Sequence, residues 1–342
     1  MVQISPMKND KRILLAHGSG GKLTHRLLTE LVFPSFSNPI LDAAEDAAIC
    51  RLPGKVAFTT DSFVVQPIFF PGGDIGKLSV CGTVNDLAVM GATPRFLTAA
   101  CIVEEGLEIT ALEKIIASMA RAAVDAGVAI VGGDLKVVEK NACDRIFITT
   151  TGIGIIPQKI KISAANARPG DVILVNGFIG EHGCAVMASR QDYGLKTSIT
   201  SDCASLNGLI SAILAASKDV HVMRDPTRGG VATTLNEIAS ASGVEILVEE
   251  KSLPVPEAVR GFCELLGIDP LYIANEGKVL VFAPEKDGPE ILRAMKRHPL
   301  GKHACAIGRV IAKADPQVLL QTCIGSTRIL DMLTGEQLPR IC

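Results

Sequence analysis

Several groups of residues in this sequence combine type and spacing in ways that chemistry can use. The first is His17-Gly18-Ser19-Gly20-Gly21-Lys22. Glycines let backbone N–H groups come close to phosphate oxygens, and a lysine adds positive charge. It is not a Walker A loop, because Leu23 follows Lys22, and it does not complete GxGxxG. On its own it reads more simply as a flexible loop ahead of a helix over 23–31. The second group is acidic: Glu45-Asp46, Asp61, Asn85-Asp86, Gly132-Gly133-Asp134 and Arg224-Asp225. Carboxylates gather near a nucleotide triphosphate when Mg²⁺ stands between the charges. A single Asp at a strand end is more simply a cap or turn residue. Asp86 differs, since it interrupts an otherwise apolar helix where an unpaired carboxylate is costly; metal ligand and buried structural acid both fit it.

The third group, Arg224-Asp225-Pro226-Thr227-Arg228-Gly229-Gly230, runs into a helix at Val231. Two arginines, a threonine and a helix N-terminus suit an anion, and a capped loop with solvated charges fits as well. Lys136, two residues past Asp134, and Glu276, in Asn275-Glu276-Gly277-Lys278, could move protons in a partly buried site; as isolated residues they read as surface charges. The last candidate is Cys342, the final residue. A thiol on an extended tail can reach a distant site and carry a covalent group as a thioester. His182 and His221 have no partner at metal-ligand spacing and are read as structural.

The elements that must position these residues alternate short β-rich runs with longer helical ones, which predicts an α/β or α+β protein. A strand over 55–60 delivers Asp61 at its end. A helix over 75–90, rich in small residues, ends at Gly91 and Pro94. Thr110 is expected to open the next helix, with Glu113 completing a capping box and Leu112, Ile115, Ile116 and Met119 forming the apolar face. A buried strand over 128–131 runs into Gly132-Gly133-Asp134, and one over 147–156 closes a first domain. Pro157 and the Arg168-Pro169-Gly170-Asp171 turn mark the boundary. A strand over 172–175, helices around 203–217, 230–242 and 256–266, and strands near 244–248, 278–283 and 305–311 make a second. The expected division is 1–157, 158–325, and an extended, flexible tail over 326–342 in which Gly335 and Pro339 oppose a helix.

Composition narrows the function classes. The 342 residues are 48% hydrophobic and 20% charged, as in an ordinary globular protein. Lys plus Arg number 34 against 36 Asp plus Glu, a formal charge of −2, which argues against nucleic-acid or anionic-membrane binding. Aromatics are 4%, too few for base-stacking platforms. There is no spanning apolar run and no signal-peptide pattern, and the ten cysteines contain no CxxC pair. A cytoplasmic enzyme without a disulfide framework is expected.

The ordered set HGSGGK, TTDSF, FFPGGDIGKL, GTVNDLAVMGA, VGGDLKVV, RDPTRGGV, ANEGK and the terminal PRIC resembles the HypE family of nickel–iron hydrogenase maturation proteins from His17 to Cys342. Separate pieces occur across the wider superfamily of aminoimidazole ribonucleotide synthetase, selenophosphate synthetase and thiamine-phosphate kinase, whereas the terminal PRIC is specific to HypE. The resemblance implies two α/β domains of the aminoimidazole ribonucleotide synthetase type and a homodimer whose N-terminal domains pair strands into a barrel. It implies an ATP site in a cleft, with the protein's own tail as substrate. A HypF-like carbamoyltransferase loads Cys342, ATP-dependent dehydration turns the thiocarboxamide into a thiocyanate, and the cyano group passes to iron on a HypC–HypD complex. Position by position, it implies that Asp46, Asp61, Asp86 and Asp134 hold Mg²⁺. Gly18, Ser19, Gly20, Gly21, Lys22, Asp61, Asn85, Asp86, Asp134 and Arg228 bind nucleotide, and Lys136 and Glu276 act with Cys342. The competing readings are a superfamily kinase or synthetase acting on a free small molecule, and a non-catalytic carrier of the group on Cys342.

Overall fold

The β-rich runs assemble into two large sheets and a short two-stranded ribbon of Phe69–Phe70 with Gly73–Asp74. In the computed structural model, which describes residues 11–19, 21–43, 47–190, 197–313, 315–332 and 341–342, the N-terminal sheet has four strands. They are β1 (Lys55–Phe63), β2 (Thr93–Glu104), β3 (Ala129–Val138) and β4 (Ile146–Ile156), in the order β1-β4-β2-β3. β1 and β3 are therefore the edges. β4 shows why it lies inside the sheet: Ile146, Ile148, Thr150, Gly152, Gly154 and Ile156 are buried on one face while the residues between them are half-buried on the other. Asp61 lies within β1 rather than at its end, and Asp134 and Lys136 lie within β3, which continues through the glycine pair.

The buried face is covered by two helices. The chain first forms α1 (Lys22–Leu27), which continues through a wider π-type turn, Leu28–Val32. α2 (Ile75–Val89) starts at Asp74, whose carboxylate accepts the backbone N–H of Gly76 at 2.8 Å and of Lys77 at 3.0 Å. It is apolar on nearly every side, as a helix between two layers must be. α3 (Ile109–Ala126) is amphipathic, burying Leu112, Ile115, Ile116 and Met119 as the spacing predicts, and ends at Gly127 with φ 67°. The expected capping box at Thr110 and Glu113 does not form. The helix begins one residue earlier, Glu108 is the cap without a side-chain bond, and Ile109 N–H donates to Lys11 O. Backbone pairing with the preceding segment fixes this helix start instead of a hydroxyl.

Among the described residues no helix lies against the other face of this sheet, yet it carries Val56, Phe58, Phe96, Ile102, Phe147, Ile153 and Ile155; Phe58, on the edge strand, is 68% exposed.

The C-terminal sheet has seven strands: β5 (Asp171–Val175), β6 (Val222–Arg224), β7 (Glu245–Glu249), β8 (Leu280–Pro284), β9 (Cys305–Ala312), β10 (Gln317–Gln321) and β11 (Thr327–Ile329), ordered β11-β10-β7-β9-β5-β8-β6. Helices α4 (Glu181–Ala188) and α5 (Gly230–Ser242) carry cleft residues. β11 pairs with β10, and Leu330 is fully buried in this domain's core, its carbonyl accepting from Asn236 Nδ2 at 2.8 Å. Residues 327–330 thus belong to the sheet and its core rather than to a free tail. At the chain's end, Ile341 is buried as part of the N-terminal core cluster, which also takes in Val186, Cys203 and Ala274, with Cys342 packed against the same cluster. Among the described residues no helix is long and apolar enough to cross a membrane.

Candidate active site

Where the two domains meet, a polar cavity of 300 Å³ is lined by Asp61, Asp86, Asp225, Arg228, Glu276 and Cys342 among others. Five elements supply them: Asp61 comes on β1, Asp86 on α2, Asp225 and Arg228 on the loop into α5, Glu276 on the loop before β8 and Cys342 on the chain terminus. Thr59, one pleat along β1 from Asp61, donates its hydroxyl to Asp86 Oδ2 at 2.7 Å, tying strand to helix. Asp86 is the one partly exposed residue between Cys81 and Val89, so the acid that interrupts the apolar helix is also the side chain that faces the cavity.

Burial and the crowding of carboxyls in this cleft raise the proton affinity of three of them, Asp61, Asp225 and Glu276. Burial, and then the neighbouring Asp86, push Asp61 up to about 6 against the pull of Arg228. Asp225 is pushed up to about 7 by burial, with Asp86 adding to the shift. Glu276, 3% exposed, is pushed well above the ordinary range by burial and by Asp225, Asp202 and Asp61. The Cys342 thiol rises to about 11, through burial and then Glu276, while Arg228 works the other way. Arg228 Nε donates to Cys342 Sγ at 3.4 Å.

The loop carrying Glu276 is held from behind. Asp202 accepts the N–H of Glu276 at 3.1 Å and of Gly277 at 3.3 Å, and pairs with Lys278 at 2.9 Å. Burial alone would raise Asp202, but the Lys278 ammonium and the surrounding donors hold its carboxyl below the usual value. Asn275 Oδ1 accepts Gly180 N–H at 2.8 Å, and its amide donates to Pro226 O and Ile273 O, both at 3.0 Å. Asn85, expected at the nucleotide, is buried with its polar atoms already used. Its amide donates to Ala204 O at 3.0 Å and its oxygen accepts Leu206 N–H at 2.8 Å, which joins α2 to the C-terminal domain.

The remaining expected residues stand elsewhere. Asp134 and Lys136 pair with each other at 2.7 Å, and this bond holds Asp134 below its usual pKa. They lie on β3 and line, with Gly18 and Ser19, a separate cavity of 470 Å³ walled by Leu28, Phe33 and Phe36. The register Asp61–Thr150–Ala99–Gly133 puts three strand spacings, about 14 Å at 4.8 Å each, between the β1 and β3 edges. Within one chain Lys136 therefore does not join Glu276 at Cys342, because Lys136 lies on the β3 edge and the cleft that holds Glu276 and Cys342 opens at the β1 edge beside Asp61. Gly18 has a packing reason of its own: a Cβ there would run into the Val137 backbone nitrogen. Gly21 precedes α1 and Lys22 opens it, exposed. Asp46 and Gly20 lie outside the described residues. Among the described residues no three His, Cys, Asp or Glu side chains are already gathered as metal ligands.

His182, read as structural, bears directly on the site, since its Nε2 lies 3.0 Å from the carbonyl oxygen of Ile341. Ser201 and Asp202 had no local signal. Their partners lie 19 and 74 residues away, and nothing in the intervening sequence marks either of them.

Residues 44–156 match the AIR synthase related protein N-terminal domain, and residues 168–321 match its C-terminal domain. A carbamoyl dehydratase HypE from Rhodobacter capsulatus is 50% identical over 336 residues, covering 97% of this chain and 99% of that protein. A crystal structure of the hydrogenase maturation protein HypE in complex with ATP superposes with a TM-score of 0.92 at 49% identity, over 96% of this chain and 99% of the other. A HypE–HypF complex matches with a TM-score of 0.79, also at 49% identity, over 92% of this chain and 100% of the other.

Proposed function

The chain belongs to the HypE family of carbamoyl dehydratases, and on that basis we propose that it dehydrates an S-carbamoyl group on its own Cys342 to a thiocyanate, with ATP as the driving reagent. The observation that carries the reading is the position of Cys342: the last residue of the chain stands inside the acidic cleft, beside Glu276 and Arg228.

The chemistry follows from what must leave. Turning R–S–C(=O)–NH₂ into R–S–C≡N removes one oxygen and two protons. Hydroxide is a poor leaving group, so the γ-phosphoryl group of ATP is transferred to the carbamoyl oxygen, which then departs as phosphate. Phosphoryl transfer depends mainly on positioning and charge neutralisation. Arg228 supplies a cation at the sulfur. Glu276 accepts the nitrogen protons, and a carboxylate with raised proton affinity is, once ionised, a stronger base than an exposed one.

Asp61, Asp86 and Asp225 fit a divalent cation, since Asp61 and Asp225, raised first by burial, are raised further by the charge of Asp86 that a cation would relieve. Mg²⁺ commonly binds through one or two carboxylates together with substrate phosphates, so a preassembled cage is not required. Asp61 and Asp86 would hold it, and its contribution is charge neutralisation at the phosphates. Gly18, Ser19 and the adjoining cavity on the β3 edge suit the nucleotide when the sheet pairing proposed below brings that edge of one chain to the Asp61–Asp86 cleft of its partner.

The proposal includes a homodimer, supported by the uncovered apolar face of the N-terminal sheet and its exposed edge strand β1. Sheet pairing would also offer Asp134 and Lys136 of one chain to the cleft of its partner. It further includes a HypF-like enzyme that loads the thiol, a HypC–HypD complex that takes the cyano group, and a cytoplasmic setting, in keeping with ten free cysteines.

The test is the intact mass of the protein after loading by a HypF-type enzyme, and again after adding Mg-ATP. A carbamoyl gain on Cys342 followed by loss of one water is the expected result. A gain that persists with ATP bound would instead make the protein a carrier.

A further inference from the structure

We propose that His182 is a positioning residue for the substrate tail, its Nε2–H holding the Ile341 carbonyl and thereby fixing Cys342 against Glu276. His182 is fully buried on α4, one residue into the helix. Its Nε2 lies 3.0 Å from Ile341 O and its Nδ1 2.8 Å from Ser201 Oγ. A carbonyl only accepts, so Nε2 is the donor. A neutral imidazole has one N–H, so Nδ1 accepts and Ser201 donates to it. Ser201 Oγ in turn accepts Cys203 N–H at 3.1 Å. Burial keeps the ring neutral, in agreement with that direction, and the Phe70 ring packs edge-on against it with centroids 5.4 Å apart. Every donor in the chain from Cys203 to Ile341 is thus assigned.

The residue after Ser201 is Asp202, which holds the N–H groups of Glu276 and Gly277. Two consecutive residues therefore fix the two reacting parts: Ser201, through His182, places the tail, and Asp202 places the base. The tail must leave the cleft to be loaded and return for chemistry, and a directional bond to a backbone carbonyl suits that cycle. Water replaces it when the tail departs, so its net worth is modest, about two- to tenfold in docked population.

This inference rests on Cys342 being the substrate-bearing residue, and the experiment separates the two. Full-length wild type, His182→Ala, His182→Gln and Ser201→Ala are pulsed with iodoacetamide at one pH, and the C-terminal peptide is quantified by mass. This arm involves no carbamoyl chemistry. The same proteins are carbamoylated and followed through a single turnover with Mg-ATP. The expected result is several-fold faster alkylation of Cys342 and a comparable slowing of dehydration in His182→Ala, at unchanged nucleotide affinity. Gln, whose amide N–H can reach the same carbonyl, restores both, and Ser201→Ala falls between. Unchanged alkylation in His182→Ala overturns the proposal, as does a loss of dehydration that Gln does not recover. Should His182→Ala fail to fold, Ser201→Ala decides the matter, and wild-type alkylation behaviour there refutes it. Wild type that is loaded but never loses water overturns the substrate assignment instead.

Discussion

Glu276 and Cys342 share a desolvated corner in which the carboxyl disfavours the thiolate. With Glu276 as proton acceptor, Glu276→Gln should slow single-turnover dehydration by roughly 10²–10⁴-fold, while carbamoyl loading at Cys342 continues. Full dehydration activity in that variant would remove Glu276 from the role. The thiol offers a second check. With a pKa of about 11, its thiolate fraction at neutral pH is small, so alkylation of Cys342 should climb about tenfold per pH unit from pH 8 to 10, with no plateau below about 11. Arg228→Ala removes the group that pulls the value down and should move the plateau higher still. An ordinary cysteine profile, levelling near pH 9, would contradict the burial assigned to it. Asp86 and Cys342 could be singled out in the sequence because each is anomalous locally, a carboxylate in an apolar helix and a thiol at a chain end. His182 looks like any core histidine, because its significance lies in a carbonyl 159 residues away.

The segment 275–278 works as one rigid element without regular secondary structure. Asn275 is held by Gly180 and Pro226, Glu276 and Gly277 by Asp202, and Lys278 by the same carboxylate. Gly277 lies so close to Asp202 that an added Cβ would run into its carbonyl oxygen. Gly277→Ala should therefore cost about 1–3 kcal/mol of stability and displace Glu276, lowering dehydration far more than the melting temperature. Calorimetry alongside the mass assay tests this, and equal losses in both would mean the effect is merely global. Most elements were legible because each follows from local periodicity, as with the alternating face of β4 or the Leu112–Met119 stripe of α3. The exceptions are tertiary. Thr110 and Glu113 satisfy the rule for a cap, yet the segment at Lys11 fixes the helix start, and β11 exists because β10 offers it a partner.

For the molecule as a whole, the N-terminal sheet leaves apolar side chains on a face that none of the described helices covers. If that face pairs two chains, as proposed, Phe58→Lys should lower the mass measured by light scattering from dimer to monomer and abolish dehydration without unfolding the protein. If sheet pairing also brings Lys136 to the cleft of its partner, mixing Lys136→Ala with Glu276→Gln protein should restore activity that neither has alone, at about a quarter of wild type for random pairing with one intact cleft per mixed dimer. No recovery after subunit exchange would confine both residues to a single chain. The separation of Asp134 and Lys136 from Glu276 could not have been read from their motifs, since strand order, and not sequence, puts β1 and β3 on opposite edges. The burial of Ile341 also governs the rate at which nitrile can be supplied. A docked tail cannot simultaneously be acylated or deliver its cargo, so residence in the cleft acts as a clock. Tightening the grip on residue 341 would quicken the chemical step and starve the transfers before and after it. Sustained flux is then greatest at an intermediate affinity, with the tail spending comparable times inside and out.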